Sequence, residues 1–224
     1  MASDALAAFL QAIKEVPDLE SSDGTRASAL RRQRAVGRAQ AVLLSSHFER
    51  YIYAVNEEAV GHLNRLSVEA SRLTSEMKLL HSKLPIDDAS TTAWENRSEK
   101  LASLKQSEAW LWSSAPLGAL QHDRLLSWMS APKPKNLVRY YKYWGIDDVF
   151  TSVTRSTHTR NQLWLGIQEL VDKRNNIAHG DYASQATPGD IHRYIRSARK
   201  FCVSADGALR RAISRFVPES SPAW

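Results

Sequence analysis

The chain has one cysteine in 224 residues. A single thiol forms no intramolecular disulfide and builds no cysteine-rich metal site, so a reduced, cytoplasmic setting is expected. Cys202 falls on the apolar stripe of a helical pattern and reads as a small core residue. Glycine (9) and proline (8) are scarce, and no strand-like alternation bracketed by hairpin turns appears. That argues against a β architecture. No apolar run approaches the roughly 20 residues that cross a bilayer. Residues 1–17, with Asp4, Lys14 and Glu15, read as a short amphipathic helix rather than a signal peptide. There is no internal repeat and no low-complexity segment.

What remains is the composition of an ordinary globular chain, 43% hydrophobic and 24% charged, able to bury one core without staples. The formal net charge of +6 favours an anionic partner, nucleic acid first. The apolar period is three to four residues throughout, so an all-α chain is expected. Helical spacing runs over residues 27–61, with Asp23 or Thr25 as a cap, and over 66–84, stopping before Pro85. Gly61 and Asn64 leave open whether these are one helix or two. Residues 86–92 read as loop, 95–112 as helix, 113–118 as turn and 119–129 as a short helix. The two prolines in 131–135 exclude a helix there. A helix over 136–144 ends at Gly145, a left-handed cap. A strongly patterned helix covers 161–178. Thr187, Pro188 and Asp190 form a helix start with a capping-box acid that opens the last helix. The tail from Pro218 reads as frayed. One domain, 1–224, follows, with its core at about 27–84 and 135–215 and an insertion at about 85–134.

The run Arg174-Asn175-Asn176-Ile177-Ala178-His179-Gly180 concentrates chemistry. It offers a fixed cation, two amides and an imidazole. The guanidinium fork can hold phosphate oxygens, and imidazole moves a proton near neutral pH. That set can handle a phosphodiester without a metal. By itself the run also reads as a helix C-terminus, where Arg and His meet the negative end of the dipole and Gly180 supplies the cap. At ~100° per residue, Arg174 and His179 point about 140° apart on a regular helix. One straight helix cannot aim both at one phosphate. Either the helix loosens before Gly180, or a second subunit supplies the complement.

Residues 171–180 resemble the signature of the HEPN superfamily, in which an Arg and a His are separated by four to six residues and a polar residue follows the Arg. Here four intervene, and Asn175 is the polar one. Ser45-Ser46-His47-Phe48-Glu49-Arg50-Tyr51-Ile52 is similar to the first core helix of the RiboL-PSP type of HEPN domain. Residues 135–150, with Tyr143-Trp144-Gly145-Ile146-Asp147-Asp148, are similar to its middle section. The likeness covers roughly 30–215 and is weakest over 66–130.

The resemblance implies an all-α helical bundle acting as a homodimer, and a metal-independent endoribonuclease with no cofactor. It implies that Arg174 neutralises the scissile phosphate and that His179 serves as general base or general acid. Asn175 would orient the phosphate, with support from Asn176, Glu49 and Arg50. It also implies a bacterial toxin or anti-phage effector, with an antitoxin or a larger defence system as partner. Two other readings remain: a non-catalytic HEPN module acting as RNA-binding or protein-binding sensor, and a helical subunit that binds nucleic acid without sequence preference.

Outside the motif, Glu49 and Arg50 also read as an ion-paired helix face, and His47 as exposed. Arg26, Arg31, Arg32, Arg34 and Arg38 cluster at the start of the long helix. Arg193, Arg196 and Lys200, at spacings of three and four, share a face. With Lys133 and Lys135 they are candidate RNA contacts, although such runs are commonly solvated surface. No metal-ligand spacing emerges. Trp94, Trp110, Trp112, Trp128, Trp144 and Trp164 fall mostly on apolar helix positions, and core packing is expected, except that of Trp110 and Trp112, two apart, one is expected at an interface or stacked on a base.

Overall fold

The computed structural model describes residues 2–19, 26–66, 68–113 and 118–217, with the side chains of 26–28 excepted. The expected caps Asp23 and Thr25, most of the 113–118 turn and the tail from Pro218 lie outside the described residues, as does the Arg26 side chain. The architecture is an all-α bundle, with no β-strand among the described residues. Among them, no helix is long and apolar enough to cross a membrane.

The axis of the bundle is α3, Arg26–Arg65, a single helix of 40 residues and so about 60 Å long. Gly61 and Asn64 do not break it. Val60 and Leu63 are buried, and packing overrides weak propensity. Asn64 is engaged in a tertiary contact. Its amide donates to the Leu120 carbonyl at 3.0 Å, and its side-chain oxygen accepts the Leu120 N–H at 3.1 Å.

Ahead of α3 lie α1, Asp4–Ala12, and the single turn α2, Glu15–Asp18. The free N–H groups at the start of α1 are met by Ser3 Oγ, which accepts from Leu6 at 3.0 Å, and by the Glu58 carboxylate, which accepts from Asp4 at 3.1 Å and from Ala5. Ala5, Leu6 and Phe9 are buried in the same core as α3. The core therefore extends N-terminally of residue 27.

After a short 3-10 turn, Ala70–Arg72, come α4, Ser75–Thr91, and α5, Trp94–Glu108. This corrects two expectations. Residues 66 and 68–74 are not regular α-helix, so the two patterned segments lie on separate helices, and α4 runs through Pro85 across a stretch read as loop. Proline at 85 cannot donate to the carbonyl of residue 81. Arg124 donates to that carbonyl instead, at 3.2 Å. The orphaned acceptor is satisfied from another helix, which is why the proline is tolerated.

A 3-10 turn, Ala109–Trp112, and the short α6, His122–Leu126, follow. Residues 119–121 and 127–129 are not helical, so the expected helix is shorter at both ends. Leu111, Leu120, Leu125, Leu126 and Met129 join the common core.

Next is α7, Pro134–Tyr143. Pro134 is its first residue, where the absent N–H costs nothing, so Lys135 is helical after all. Gly145 ends this region at φ 73°, as expected. A helix that the pattern hid, α8, Val149–Val153, is capped by Asp148.

The last pair is α9, Thr157–Ala178, and α10, Pro188–Ile213. The Thr187–Asp190 capping box forms as its residues predict. Phe48, Tyr51 and Val55 of α3 pack with Phe201, Cys202 and Ala205 of α10, and the Tyr51 hydroxyl donates to the Cys202 carbonyl at 3.1 Å. Of the tryptophans among the described residues, only Trp144 is fully buried. Trp94, Trp112 and Trp164 are exposed. Trp94 begins α5 at the surface, where the Arg97 guanidinium lies over its ring.

Candidate active site at the end of α9

The buried stripe of α9 is Leu163, Ile167, Leu170 and Val171. Arg174 stands seven residues after Ile167 and four after Leu170, so it continues the core-facing stripe. It reaches the surface against α3. There its Nη2 lies 3.7 Å from the Glu49 carboxylate, with both side chains half-buried. Its Nη1 donates to Asn175 Oδ1 at 3.1 Å. A pair at that distance and exposure is a weak one, so the guanidinium keeps donors for an external anion.

His179 is the C-cap of α9 and is exposed. Its N–H still bonds the Asn175 carbonyl at 2.9 Å. The helix is therefore regular up to His179, and the loosening that would rotate the imidazole toward Arg174 does not occur. The Gly180 N–H bonds the Ile177 carbonyl at 3.1 Å, and the Asp181 N–H bonds the Asn176 carbonyl at 3.0 Å. This is a Schellman cap. Gly180 sits at φ 81°, a left-handed conformation that glycine adopts freely. The cap turns the chain away and leaves the imidazole with no hydrogen-bond partner among the described residues. Asn176 is exposed, with its carbonyl used by the cap.

The structure thus joins Arg174, Asn175 and Glu49, and sets His179 about 140° round the helix from Arg174. It does not bring in Arg50. That side chain leaves α3 on the α1 side and lines a cleft of about 470 Å³ with Ala12, Glu15 and His47. His47, expected to be exposed, is half-buried, and its Nε2 is buried with no partner among the described residues.

The candidate RNA contacts divide. Lys133 pairs with Asp172 at 2.7 Å. Burial pushes the Asp172 carboxyl up, but hydrogen bonds from Gln168 and Lys133 outweigh this and hold it below its ordinary range. Asp172 and His179 are seven apart, so Lys133 lies along the helix face that ends in His179. Lys135 is exposed in the first turn of α7. Arg193 is taken up by Glu169 at 2.7 Å and Asp190 at 2.8 Å. Arg196 and Lys200 have no carboxylate partner among the described residues. They line, with Thr159, Gln162 and Leu165, a groove of about 530 Å³ between α9 and α10.

One residue escaped the sequence reading. Tyr182, three positions after His179, is 78% exposed, and the Arg38 guanidinium lies 5.1 Å from its ring centroid. The available signal was an aromatic residue within the polar loop that follows the motif. Among the described residues, no three His, Cys, Asp or Glu side chains gather as a metal-ligand set.

The family model RiboL-PSP-HEPN matches residues 4–210 of the chain. No curated protein and no solved structure matches it.

Proposed function

The chain belongs to the RiboL-PSP-HEPN family, and from that premise we propose that it is a metal-independent endoribonuclease whose active site is shared between two copies. The observation that carries this reading is the divergence at the end of α9. Arg174 is held on the core-facing side beside Glu49, and His179 is exposed on a different face of a helix that stays regular. Each chain presents both halves of a phosphodiester-cleaving pair in an arrangement that one chain cannot close on a single phosphate. A two-fold related copy supplies the complement.

In this site Arg174 binds the scissile phosphate through its planar fork and offsets charge that grows as the 2′-oxygen attacks. His179 takes the 2′-hydroxyl proton, or returns one to the departing 5′-oxygen. One imidazole serves each composite site, with water as its partner in the other proton transfer. The 2′-oxygen–phosphorus bond forms, the phosphorus–5′-oxygen bond breaks, and the products are a 2′,3′-cyclic phosphate and a 5′-hydroxyl. Asn175 steadies Arg174 through its side-chain oxygen and keeps its amide for the phosphate. The resemblance extends the reading to a toxin or anti-phage effector.

The test is incubation of the purified protein with mixed RNA in EDTA, with analysis of the product ends. Cleavage should give the cyclic phosphate, and it should fall by about 100-fold or more in Arg174→Ala and in His179→Ala, the scale of a lost acid–base or charge-stabilising group. The same substitutions should relieve growth arrest on expression in a bacterial host. Cleavage that survives both substitutions rejects the assignment. RNA binding without any cleavage would mark a non-catalytic module.

A further inference from the structure

We propose that Tyr182, backed by Arg38, is a stacking platform for an RNA base beside the scissile phosphate. The inference rests on the ribonuclease reading above, and it adds a positioning residue which the motif does not contain.

A tyrosine at 78% exposure leaves most of an amphipathic side chain in water, where burial would be favourable. Here the ring is displayed from an anchored loop. Gly180 closes α9 on one side, and the Thr187 capping box opens α10 on the other. Between them Asp181 folds the chain. Its carboxylate accepts the Ala183 N–H at 2.9 Å, and its carbonyl accepts the Ser184 N–H at 3.2 Å. Ser184 and Ala186 are buried. The loop presses so closely on α3 that a Cβ on Gly37 would stand 2.2 Å from the Ala186 oxygen. Only glycine admits that approach. The backbone on both sides of Tyr182 is fixed while its side chain is left outside.

Arg38 adds direction. Its guanidinium covers one face of the ring at 5.1 Å, which leaves the other face for a flat ligand. A cation beside an open aromatic face suits a nucleotide, whose base stacks and whose phosphate meets the charge. Position completes the argument. Three residues of chain separate the two α-carbons by at most about 10 Å, so the ring lies within a few nucleotides of the His179 imidazole. The ring needs a base that is free of its own stack, so the substrate at this point is single-stranded.

The experiment uses His179→Ala protein, which would bind without cleaving, and short single-stranded RNAs carrying one 2-aminopurine at successive positions. Fluorescence should be quenched at one position next to the cleavage site. Tyr182→Ala should abolish that quenching and weaken binding by roughly five- to a hundredfold, the range for a lost base–aromatic stack. Tyr182→Phe should retain both, since the stack needs the ring and not the hydroxyl. With His179 intact, Tyr182→Ala should raise KM and leave kcat within about twofold, the mark of lost uniform binding. Unchanged quenching and affinity in Tyr182→Ala would overturn the proposal. So would loss of both in Tyr182→Phe, or a change of oligomeric state in Tyr182→Ala. Quenching that depends on Tyr182, in a protein whose wild type cleaves no RNA, would support the platform and reject the ribonuclease reading.

Discussion

Arg174 carries a permanent charge, and Glu49 sets how available that charge is. At 3.7 Å and half-exposed, the pair holds the guanidinium in place at an energy of under about 1 kcal/mol. A phosphate competes well against so weak a partner. Glu49→Gln removes the competing charge and keeps the shape. In the His179→Ala background it should tighten RNA binding about two- to fivefold at low salt, where surface charges are least screened, as measured by fluorescence anisotropy. Weaker binding would mean that Glu49 orients Arg174 more than it competes for it. At this scale much is legible in the sequence. Arg174 and Glu49 can be picked out without knowledge of their contact, because both belong to recognisable runs. Tyr182 cannot, because nothing in a loop sequence says that Ala186 is clamped on Gly37 and that the neighbouring ring is thereby held in water. Arg50 departs from its expected place because adjacent helix residues point about 100° apart. A site that takes Glu49 turns Arg50 toward α1.

Among the elements, the joint of α4, α5 and α6 holds a buried titratable pair. The His81 Nε2 accepts the Gln121 N–H at 3.1 Å, so its Nδ1 carries the proton and donates to Glu108 at 2.9 Å. Arg124 reaches the other Glu108 oxygen at 2.7 Å. Burial is the main cause that holds the His81 imidazole below its ordinary value of 6.5, against the opposing pull of Glu108. The buried Glu108 carboxyl is pushed up by desolvation, but hydrogen bonds from His81 and Arg124 prevail and keep it below 4.5. Both pKa values are depressed on folding, so both groups favour the folded chain above their unfolded values and lose that contribution in acid. The His81 contribution is whole above about pH 6.5 and fades as pH falls toward its folded pKa, and that of Glu108 fades below about 4.5. Thermal melts should therefore show Tm falling from pH 7 to pH 5, with a flatter fall in His81→Gln. An equal slope in both proteins would locate the acid sensitivity elsewhere. This joint also explains why one helix boundary is unreadable from sequence. Pro85 ends a helix by local rules, and the donor that rescues the His81 carbonyl is Arg124, far along the chain. The Thr187–Asp190 start is readable because all of its bonds are local.

The whole molecule follows from scarcity and period. Few glycines and prolines, with apolar positions every three to four residues, specify an all-α chain, and the axis α3 is visible as the patterned segment 27–61. Its extension through Gly61 and Asn64 to Arg65 is not, since tertiary contacts with Leu120 hold Asn64. The same limit applies to the site. The sequence contains Arg174 and His179, and helix geometry separates them. The helix stays regular to its cap and keeps them apart, so the proposed catalysis requires a second chain. Subunit mixing tests this most directly. Arg174→Ala and His179→Ala proteins are each prepared, assayed alone, then unfolded, mixed and refolded together before incubation with RNA in EDTA. Two inactive proteins are expected, whose mixture regains a substantial part of wild-type cleavage, because the heterodimer reunites one intact Arg174 with one intact His179 across the interface. A mixture as inactive as its components, from subunits shown to exchange, would contradict the shared site.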